Sequence, residues 1–238
     1  MSFEEERRAE LAANLARVRA RIEAARTAAG RTDDITLVAV TKTYPASDVA
    51  LLADLGVTDV GENRDQEAAP KALAVGRRVR WHFVGQLQRN KAKSVTGYAD
   101  VVHSVDSVRL AAALDTAAAG HGRLIEVLVQ VSLDGDAHRG GALPGSADPD
   151  RGLDPVAAAV AGHGSLRLAG LMAVAPLGEE PDAAFARLAE IAARFRVDHP
   201  TSTVLSAGMS DDLESAVSHG ATHVRIGSAL LGKRDYLR

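Results

Sequence analysis

The residues best suited to chemistry in this sequence are a lysine and an arginine within or beside short apolar runs. Lys42 follows the apolar run 37–41, and Arg225 stands between Val224 and Ile226. A lysine drawn into a partly desolvated cavity tends to lose its proton, and the neutral amine is the form that attacks a carbonyl group. Arginine keeps its proton, so in an apolar strand its guanidinium must meet a buried partner or face a polar cavity. A surface lysine and a structural ion pair are the alternatives that these positions leave open.

Two corners rich in glycine and serine near the C-terminus could bind an anion. One covers residues 206–210 (Ser-Ala-Gly-Met-Ser), and the other covers residues 227–229 (Gly-Ser-Ala). Small residues let backbone N–H groups converge on a phosphate, although tight turns need the same residue types. Asn63 and His82 add polar groups near the ends of two further apolar runs. An amine, a fixed cation and two anion corners together suggest a ligand that carries a phosphate and an aldehyde.

Strands and helices must position these residues. Short β-branched runs alternate with Ala- and Leu-rich amphipathic stretches along the chain, and this alternation is typical of a parallel sheet covered by helices. Eight runs predict strands, at residues 36–41, 59–62, 81–84, 101–105, 124–133, 167–174, 203–206 and 222–226. Helices are predicted at residues 46–55, 64–75, 88–96, 107–119, 154–162, 181–197 and 211–219. Eight repeats favour an α/β fold that closes into a (β/α)8 TIM barrel. An open sheet with one strand wrongly assigned is the alternative.

The first 30 residues predict one further helix, packed on the outside of the barrel. Gly30 is a typical helix stop. The apolar positions of this helix recur at spacings of three and four residues: Leu11, Leu15, Val18 and Ile22. No linker or change of composition divides the rest of the chain, so we expect a single domain over residues 1–238.

Residues 134–154 break the alternation. They are rich in glycine, aspartate and proline and have no apolar periodicity. In a barrel this segment would follow the fifth strand at the C-terminal rim, where it could form a lid. Its composition favours a mobile insertion.

Composition excludes several classes of function. Lys and Arg number 28 against 31 Asp and Glu, which gives no basic field for nucleic acid. The absence of cysteine excludes thiol nucleophiles and thiolate metal sites. His219 and His223 are interrupted by Gly220 at a predicted helix end, so no metal site is expected. The apolar runs are too short to span a bilayer and no signal peptide or heptad pattern is evident, so we expect a cytoplasmic monomer.

Five short motifs, in a fixed order along the chain, are shared with a known family. They are Val40-Thr41-Lys42, Gly61-Glu62-Asn63, Trp81-His82-Phe83-Val84-Gly85, Gly208-Met209-Ser210-Asp211-Asp212 and Val224-Arg225-Ile226-Gly227-Ser228-Ala229. Together they resemble the YggS-like pyridoxal phosphate homeostasis proteins, over a region from about Leu37 to Tyr236. The resemblance implies a barrel like the N-terminal domain of alanine racemases that binds pyridoxal 5'-phosphate (PLP).

The resemblance also implies roles for individual residues. Lys42 would hold PLP as a Schiff base, and Arg225 would face the pyridine nitrogen. The phosphate would be held by Ser210, Gly227 and Ser228, and three further residues would lie close to the cofactor: Asn63, His82 and Met209. The chain departs from the family at two positions, because a loop lysine is replaced by Arg139 and residue 228 is Ser where Thr is common.

The resemblance implies buffering and delivery of PLP, with apo-enzymes as recipients and no established reaction. An arginine opposite the pyridine nitrogen keeps that nitrogen neutral, which makes the ring a weaker electron sink. Racemases that resemble this arrangement have a further β-domain and a tyrosine base, whereas Tyr44 is expected only to pack here. We expect a PLP-binding protein without robust catalytic activity. A PLP-dependent amino-acid racemase of weak activity, or a Schiff-base aldolase for a phosphorylated sugar, is the alternative.

Overall fold

The structure, a computed structural model, describes residues 2–135 and 140–232, which build an eight-stranded parallel barrel. The strands are β1 (Thr36–Val40), β2 (Asp59–Glu62), β3 (Arg80–Phe83), β4 (Val101–Val105), β5 (Ile125–Gln130), β6 (Leu166–Met172), β7 (Val204–Ser206) and β8 (His223–Ile226). Each strand pairs with its neighbours in sequence, and β8 pairs with β1 to close the barrel. The predicted (β/α)8 barrel is confirmed, and the open-sheet alternative is wrong.

Helices follow the strands and surround the barrel. They are α1 (Phe3–Ala28), α2 (Ala46–Asp54), α3 (Asp65–Val75), α4 (Ala92–Tyr98), α5 (Val108–Gly120), α6 (Leu153–Gly162), α7 (Pro181–Asp198), α8 (Leu213–Ser218) and α9 (Ser228–Leu231). The helix α4 begins later than predicted because Arg89–Lys91 form a 3-10 turn. The sequence pattern does not predict α9 as a separate helix, because a single turn is too short to show periodicity.

The predicted N-terminal helix is confirmed as α1. It opens with a capping box, in which Ser2 and Glu5 each accept a hydrogen bond from the other's backbone N–H. Leu11, Leu15 and Val18 are all buried on the face of α1 that packs against α8 and α9. Within the described residues, none of the helices is both long and apolar enough to cross a membrane.

The core lies mainly between the strands and the helices. Outward-facing strand residues such as Val60, Val127 and Val224 are fully buried there. The inside of the barrel differs, because only a small apolar group lies there and histidine, aspartate, serine and arginine side chains share the space. Barrel interiors are usually filled by branched apolar residues, so these polar groups need an explanation.

The irregular segment predicted after β5 is only partly described, since residues 136–139, including Arg139, lie outside the described residues. Residues 140–152 form several backbone hydrogen bonds, and the predicted mobility stays a prediction. The Ala142 N–H donates to the carbonyl oxygen of Gln130 at 2.7 Å, and the Leu143 N–H donates to that of Arg151 at 2.7 Å. These bonds tie the segment to the end of β5 and to the start of α6.

Candidate functional site

Lys42 lies at the end of the barrel where all eight strands have their carboxyl ends. Enzymes with this fold carry their functional groups at the same end. The strand β1 ends at Val40, and Lys42 stands in the turn that follows, with an exposed side chain. The expectation of a partly desolvated lysine is not met in the structure, because β1 ends before Lys42 and the turn keeps the side chain at the rim.

The turn that carries Lys42 is held on both sides by α3. The Lys71 Nζ donates to the carbonyl oxygen of Thr41 at 2.8 Å, and the Thr43 N–H donates to Glu67 Oε2 at 3.0 Å. Thr43 has a φ of 68°, a left-handed conformation that is uncommon for a β-branched residue. The two bonds from α3 therefore fix the backbone on either side of Lys42.

A buried ion pair underlies this clamp. Glu62 Oε1 accepts hydrogen bonds from Lys71 Nζ at 2.8 Å and from Thr41 Oγ1 at 2.6 Å. Burial raises the pKa of Glu62, and the bonds from Lys71 and Thr41 oppose that rise. Among the described residues, no group bonds to Glu62 Oε2. The cluster joins β1, β2 and α3 just below the rim.

The structure brings the two predicted anion corners together. Ser228 Oγ donates to Ser210 Oγ at 3.2 Å, and the Ala229 N–H points to the same Ser210 Oγ at 3.3 Å. Gly227 lies beside the end of β1, where an added Cβ would stand 3.4 Å from the carbonyl oxygen of Val40. Two hydroxyl groups and a glycine backbone thus converge next to the turn that carries Lys42.

The N-terminal helix α1 supports both corners from outside. Arg21 Nη1 donates to the carbonyl oxygen of Ser210 at 3.0 Å, while its Nε pairs with Glu214 at 2.9 Å. Asn14 Nδ2 donates to the carbonyl oxygen of Leu230 in α9 at 2.8 Å. The helix that precedes the barrel in sequence therefore belongs to the framework of the site.

Arg225 lies at the base of this end of the barrel and is only 5% exposed. Its Nη1 donates to Ser206 Oγ at 2.7 Å, and its Nη2 donates to the carbonyl oxygen of Ala173 at 3.0 Å. Burial lowers the pKa of Arg225 to about 10, opposed by the charge of Asp212, so it remains a cation at neutral pH. It forms no ion pair with a carboxylate in the described part of the chain, so the expected alternative of a structural ion pair is not what holds it.

Asn63 and Met209 flank the site. Asn63 follows β2 and is half-buried against Gly85, where an added Cβ would stand 2.1 Å from the carbonyl oxygen of Asn63. Met209 is 40% exposed, and its N–H donates to Asp212 Oδ1 at 2.5 Å. Both residues lie in loops at the carboxyl ends of strands, as the sequence predicts.

His82 lies inside the barrel rather than in a rim loop, and it is 1% exposed. Its Nε2 lies 2.8 Å from Asp59 Oδ1, and its Nδ1 lies 2.8 Å from His103 Nε2. Both ring nitrogens are therefore already engaged by protein groups. A direct contact between His82 and a ligand would have to be made through carbon atoms of the ring.

The hydrogen bonds from His82 continue across the barrel. His103 Nδ1 lies 3.1 Å from Ser206 Oγ, which in turn accepts the bond from Arg225. We call the connected side chains of Asp59, His82, His103, Ser206 and Arg225 the interior chain. Sequence reasoning missed Asp59 and His103, and it placed Ser206 in an anion corner, whereas the structure buries its hydroxyl inside the barrel. His103 carries the same signal as Arg225, a polar residue within an apolar strand.

In the part of the chain that the structure covers, no group of three or more histidine, aspartate or glutamate side chains could hold a metal ion. His219 ends α8 and lies 2.8 Å from Asp182 Oδ1. His223 points into the barrel, with its Nδ1 2.9 Å from Thr222 Oγ1. The two histidines therefore lie in different places, His219 outside the barrel and His223 inside it.

Comparison with known proteins identifies the family. Residues 13–235 match the family model of the alanine racemase N-terminal domain. A pyridoxal phosphate homeostasis protein of Mycobacterium leprae is 47% identical over 95% of this chain and 94% of its own length. The pyridoxal phosphate homeostasis protein of Escherichia coli K12 is 38% identical over 95% of this chain and 98% of its own. The chain belongs to the family of pyridoxal phosphate homeostasis proteins.

A solved structure of similar sequence has the same fold. PipY of Synechococcus elongatus PCC7942, determined with PLP bound, is 34% identical and has a TM-score of 0.77, over 93% of this chain and all of PipY. The resemblance drawn from the five sequence motifs is confirmed by this structure and by the homeostasis proteins above.

Proposed function

We propose that this chain binds PLP covalently, with Lys42 as the point of attachment. The Lys42 amine would condense with the aldehyde of PLP, forming a carbon–nitrogen double bond and releasing one water molecule. PipY, a relative of the same fold, was determined with PLP bound. The turn of Lys42 is fixed by α3 and lies beside Gly227, as the attachment point of a phosphate-bearing ligand requires.

The observation that carries the proposal is the buried guanidinium of Arg225. A cation that is 5% exposed and pairs with no described carboxylate is expensive to bury, so a ligand group that accepts its hydrogen bond would stabilise it. The pyridine nitrogen of PLP is such an acceptor. The serine hydroxyls of Ser210 and Ser228 and the backbone at Gly227 would then bind the phosphate, with Asn63 and Met209 bordering the ring.

We infer that the bound PLP is stored and delivered, with apo-enzymes of PLP as the recipients, and is not used for robust catalysis. The relatives carry the name of homeostasis proteins. An arginine at the pyridine nitrogen disfavours a proton there and weakens the ring as an electron sink. Tyr44, the tyrosine nearest to Lys42 in sequence, donates its hydroxyl to the carbonyl oxygen of Gly232 at 2.6 Å, which favours the packing role expected for it.

Covalent labelling tests the attachment. The protein is saturated with PLP, its absorption spectrum is recorded, the complex is reduced with borohydride, and the labelled peptide is identified by mass spectrometry. We expect the adduct on Lys42, and we expect it to disappear in Lys42→Ala but to persist in Lys93→Ala, which removes an exposed lysine of α4. Labelling elsewhere, or none in PLP-saturated protein, contradicts the proposal.

A second measurement separates storage from catalysis. The loaded protein is mixed with an apo-enzyme, and the rate of reactivation is compared with that given by the same concentration of free PLP. Faster reactivation supports delivery. Turnover of D- or L-alanine that is lost in Lys42→Ala would instead support a racemase, and a sugar phosphate trapped on Lys42 would support an aldolase.

A further inference from the structure

The interior chain crosses the barrel from Asp59 to Arg225. Its four hydrogen bonds measure 2.8, 2.8, 3.1 and 2.7 Å, and each of its five side chains belongs to a residue no more than 7% exposed. Five different strands contribute one residue each, so the interior chain forms only when the barrel is closed. Buried polar groups are retained where every member is satisfied, and here each member has a partner.

The direction of the first bond is set by Asp59. Burial by itself would raise the pKa of Asp59, but hydrogen bonds from His82 and from Thr58 outweigh that effect, and the net pKa is lowered. The Asp59 carboxylate is therefore ionised at neutral pH and can only accept a hydrogen bond. His82 must donate its Nε2–H to Asp59.

The remaining directions follow from the Arg225 end of the interior chain. Arginine only donates, so the Ser206 oxygen accepts from Arg225 and the Ser206 hydroxyl donates to His103 Nδ1. Burial, and then the nearby His82 and Arg225, lower the pKa of His103 well below its ordinary value, so this ring is neutral. A neutral His103 that accepts at Nδ1 carries its proton on Nε2 and donates it to His82 Nδ1.

Each of the four bonds thus points the same way, from the guanidinium cation to the carboxylate anion. The other ionisable groups that face the two rings are Arg80 on β3 and His223 on β8, while Glu126 on β5 acts on His223. If the hydrogen bonds of the interior chain pointed the other way, His103 Nδ1 would become a second donor to the Ser206 oxygen. The Ser206 hydroxyl proton would then have no acceptor within the interior chain.

We propose that His103, acting through Ser206, is a positioning residue for Arg225, and that the interior chain connects this buried cation to Asp59 as its remote counter-charge. The inference rests on the proposed function in one respect, namely that the group Arg225 faces is the pyridine nitrogen of PLP. A guanidinium held in place before the ligand arrives needs no reorganisation on binding.

The protonation pattern can be tested in the protein without ligand. Long-range proton–nitrogen NMR spectra of uniformly nitrogen-15-labelled protein report directly which nitrogen of each histidine carries the proton. At pH 7.5 we expect His82 and His103 both to carry it on Nε2, with signals assigned by their loss in His82→Gln and His103→Asn. A proton on His103 Nδ1 would overturn the inference, and it would do so whether or not PLP binds.

Two substitutions of His103 test its link to Arg225. An asparagine places an oxygen near the position of Nδ1 and can accept from Ser206, whereas a glutamine places a nitrogen near Nε2 and keeps only the bond to His82. We expect His103→Gln to weaken PLP binding about tenfold relative to His103→Asn, the equivalent of one hydrogen bond. Ser206→Ala should weaken it as His103→Gln does.

Thermal stability, measured on the same variants, separates positioning from packing. If His103 only fills space, the PLP affinity of the two variants will follow their melting temperatures. His103→Asn and His103→Gln would then bind PLP equally well whenever their melting temperatures are equal. That result would overturn the inference. If the wild-type protein fails to form the Lys42 adduct, the proposed function fails, while the NMR result still decides the pattern of the interior chain.

Discussion

Arg225 is a buried charge that costs stability at the position where we propose that the cofactor binds. Its guanidinium is buried, and the two described groups it contacts through its terminal nitrogens are neutral. A buried charge without a direct ion-pair partner costs free energy, which proteins accept at functional sites. The proposed PLP site of this chain is therefore built around a cation whose two described partners are neutral groups.

Gly85 lies so close to Asn63 that there is no room for a side chain at this position. An added Cβ would stand 2.1 Å from the carbonyl oxygen and 2.4 Å from the side-chain oxygen of Asn63. We expect Gly85→Ala to lower the free energy of unfolding by about 3 kcal/mol, because the backbone of either loop must move. Urea denaturation monitored by circular dichroism measures this change.

Gly162, at the end of α6, is the matched control for Gly85. An added Cβ there has no heavy atom within 4 Å. We expect Gly162→Ala to raise the free energy of unfolding by up to about 1 kcal/mol, because alanine has less backbone entropy to lose. Equal effects of the two substitutions would contradict the steric argument.

At the scale of elements, α1 and α3 hold the rim in place from outside the barrel. The α1 helix bonds to the backbone of Ser210 and Leu230, and α3 bonds to the backbone at Thr41 and Thr43. Neither helix places a predicted cofactor residue itself. Their contribution is to fix loops that would otherwise have backbone freedom.

Arg21 on α1 allows this support to be measured. We expect Arg21→Ala to weaken PLP binding about fivefold, because the carbonyl oxygen of Ser210 loses a charge-assisted hydrogen bond and the corner gains freedom. Arg8→Ala, an exposed arginine on the same helix, should leave the affinity unchanged. Fluorescence titration with PLP provides both values, and identical affinities would show that α1 does not support the corner.

The buried pair of Lys71 and Glu62 tests the clamp made by α3. Lys71→Met leaves a buried carboxyl group with only Thr41 as its partner, so we expect a loss of about 3 kcal/mol in the free energy of unfolding. The double variant Lys71→Met, Glu62→Gln should recover part of it. Lys91→Met, which removes a half-exposed partner 3.7 Å from Asp65, should cost less than about 1 kcal/mol.

At the scale of the whole molecule, the polar barrel interior makes stability depend on pH. Burial lowers the pKa of His223 from 6.5 to about 4 and lowers the pKa of His103 well below 6.5. In the unfolded chain both groups take up a proton near pH 6.5. The unfolded state therefore binds more protons below that pH, and the free energy of unfolding falls as pH drops.

For His223 alone the loss between pH 6.5 and 4 is on the order of 3 kcal/mol. We expect urea midpoints to fall steadily over this range and to fall less in His223→Gln, which cannot take up the proton. Denaturation at pH 7.5, 6, 5 and 4 measures the slope. A variant as sensitive to acid as the wild type would show that His223 is not neutral inside the barrel.

The sequence by itself determined the elements and indicated several of the candidate site residues. Strand and helix positions follow from local alternation of apolar residues, which is a property of neighbouring positions along the chain. All eight strands and α1 were predictable for that reason. Arg225 was visible as a charge in an apolar strand, and the corners that carry Ser210 and Gly227 were visible as small residues after predicted strands.

Only the tertiary structure decided which side chains meet. Alternation assigns His103 to one face of its strand, but the partner of a buried group depends on barrel closure, strand register and the angle at which each side chain enters. Asp59 and Arg225 are 166 positions apart in the printed sequence, yet three side chains join them across the barrel. The support of the rim by α1 is equally non-local, because a hydrogen bond requires an approach within about 3 Å that no pattern of spacing encodes.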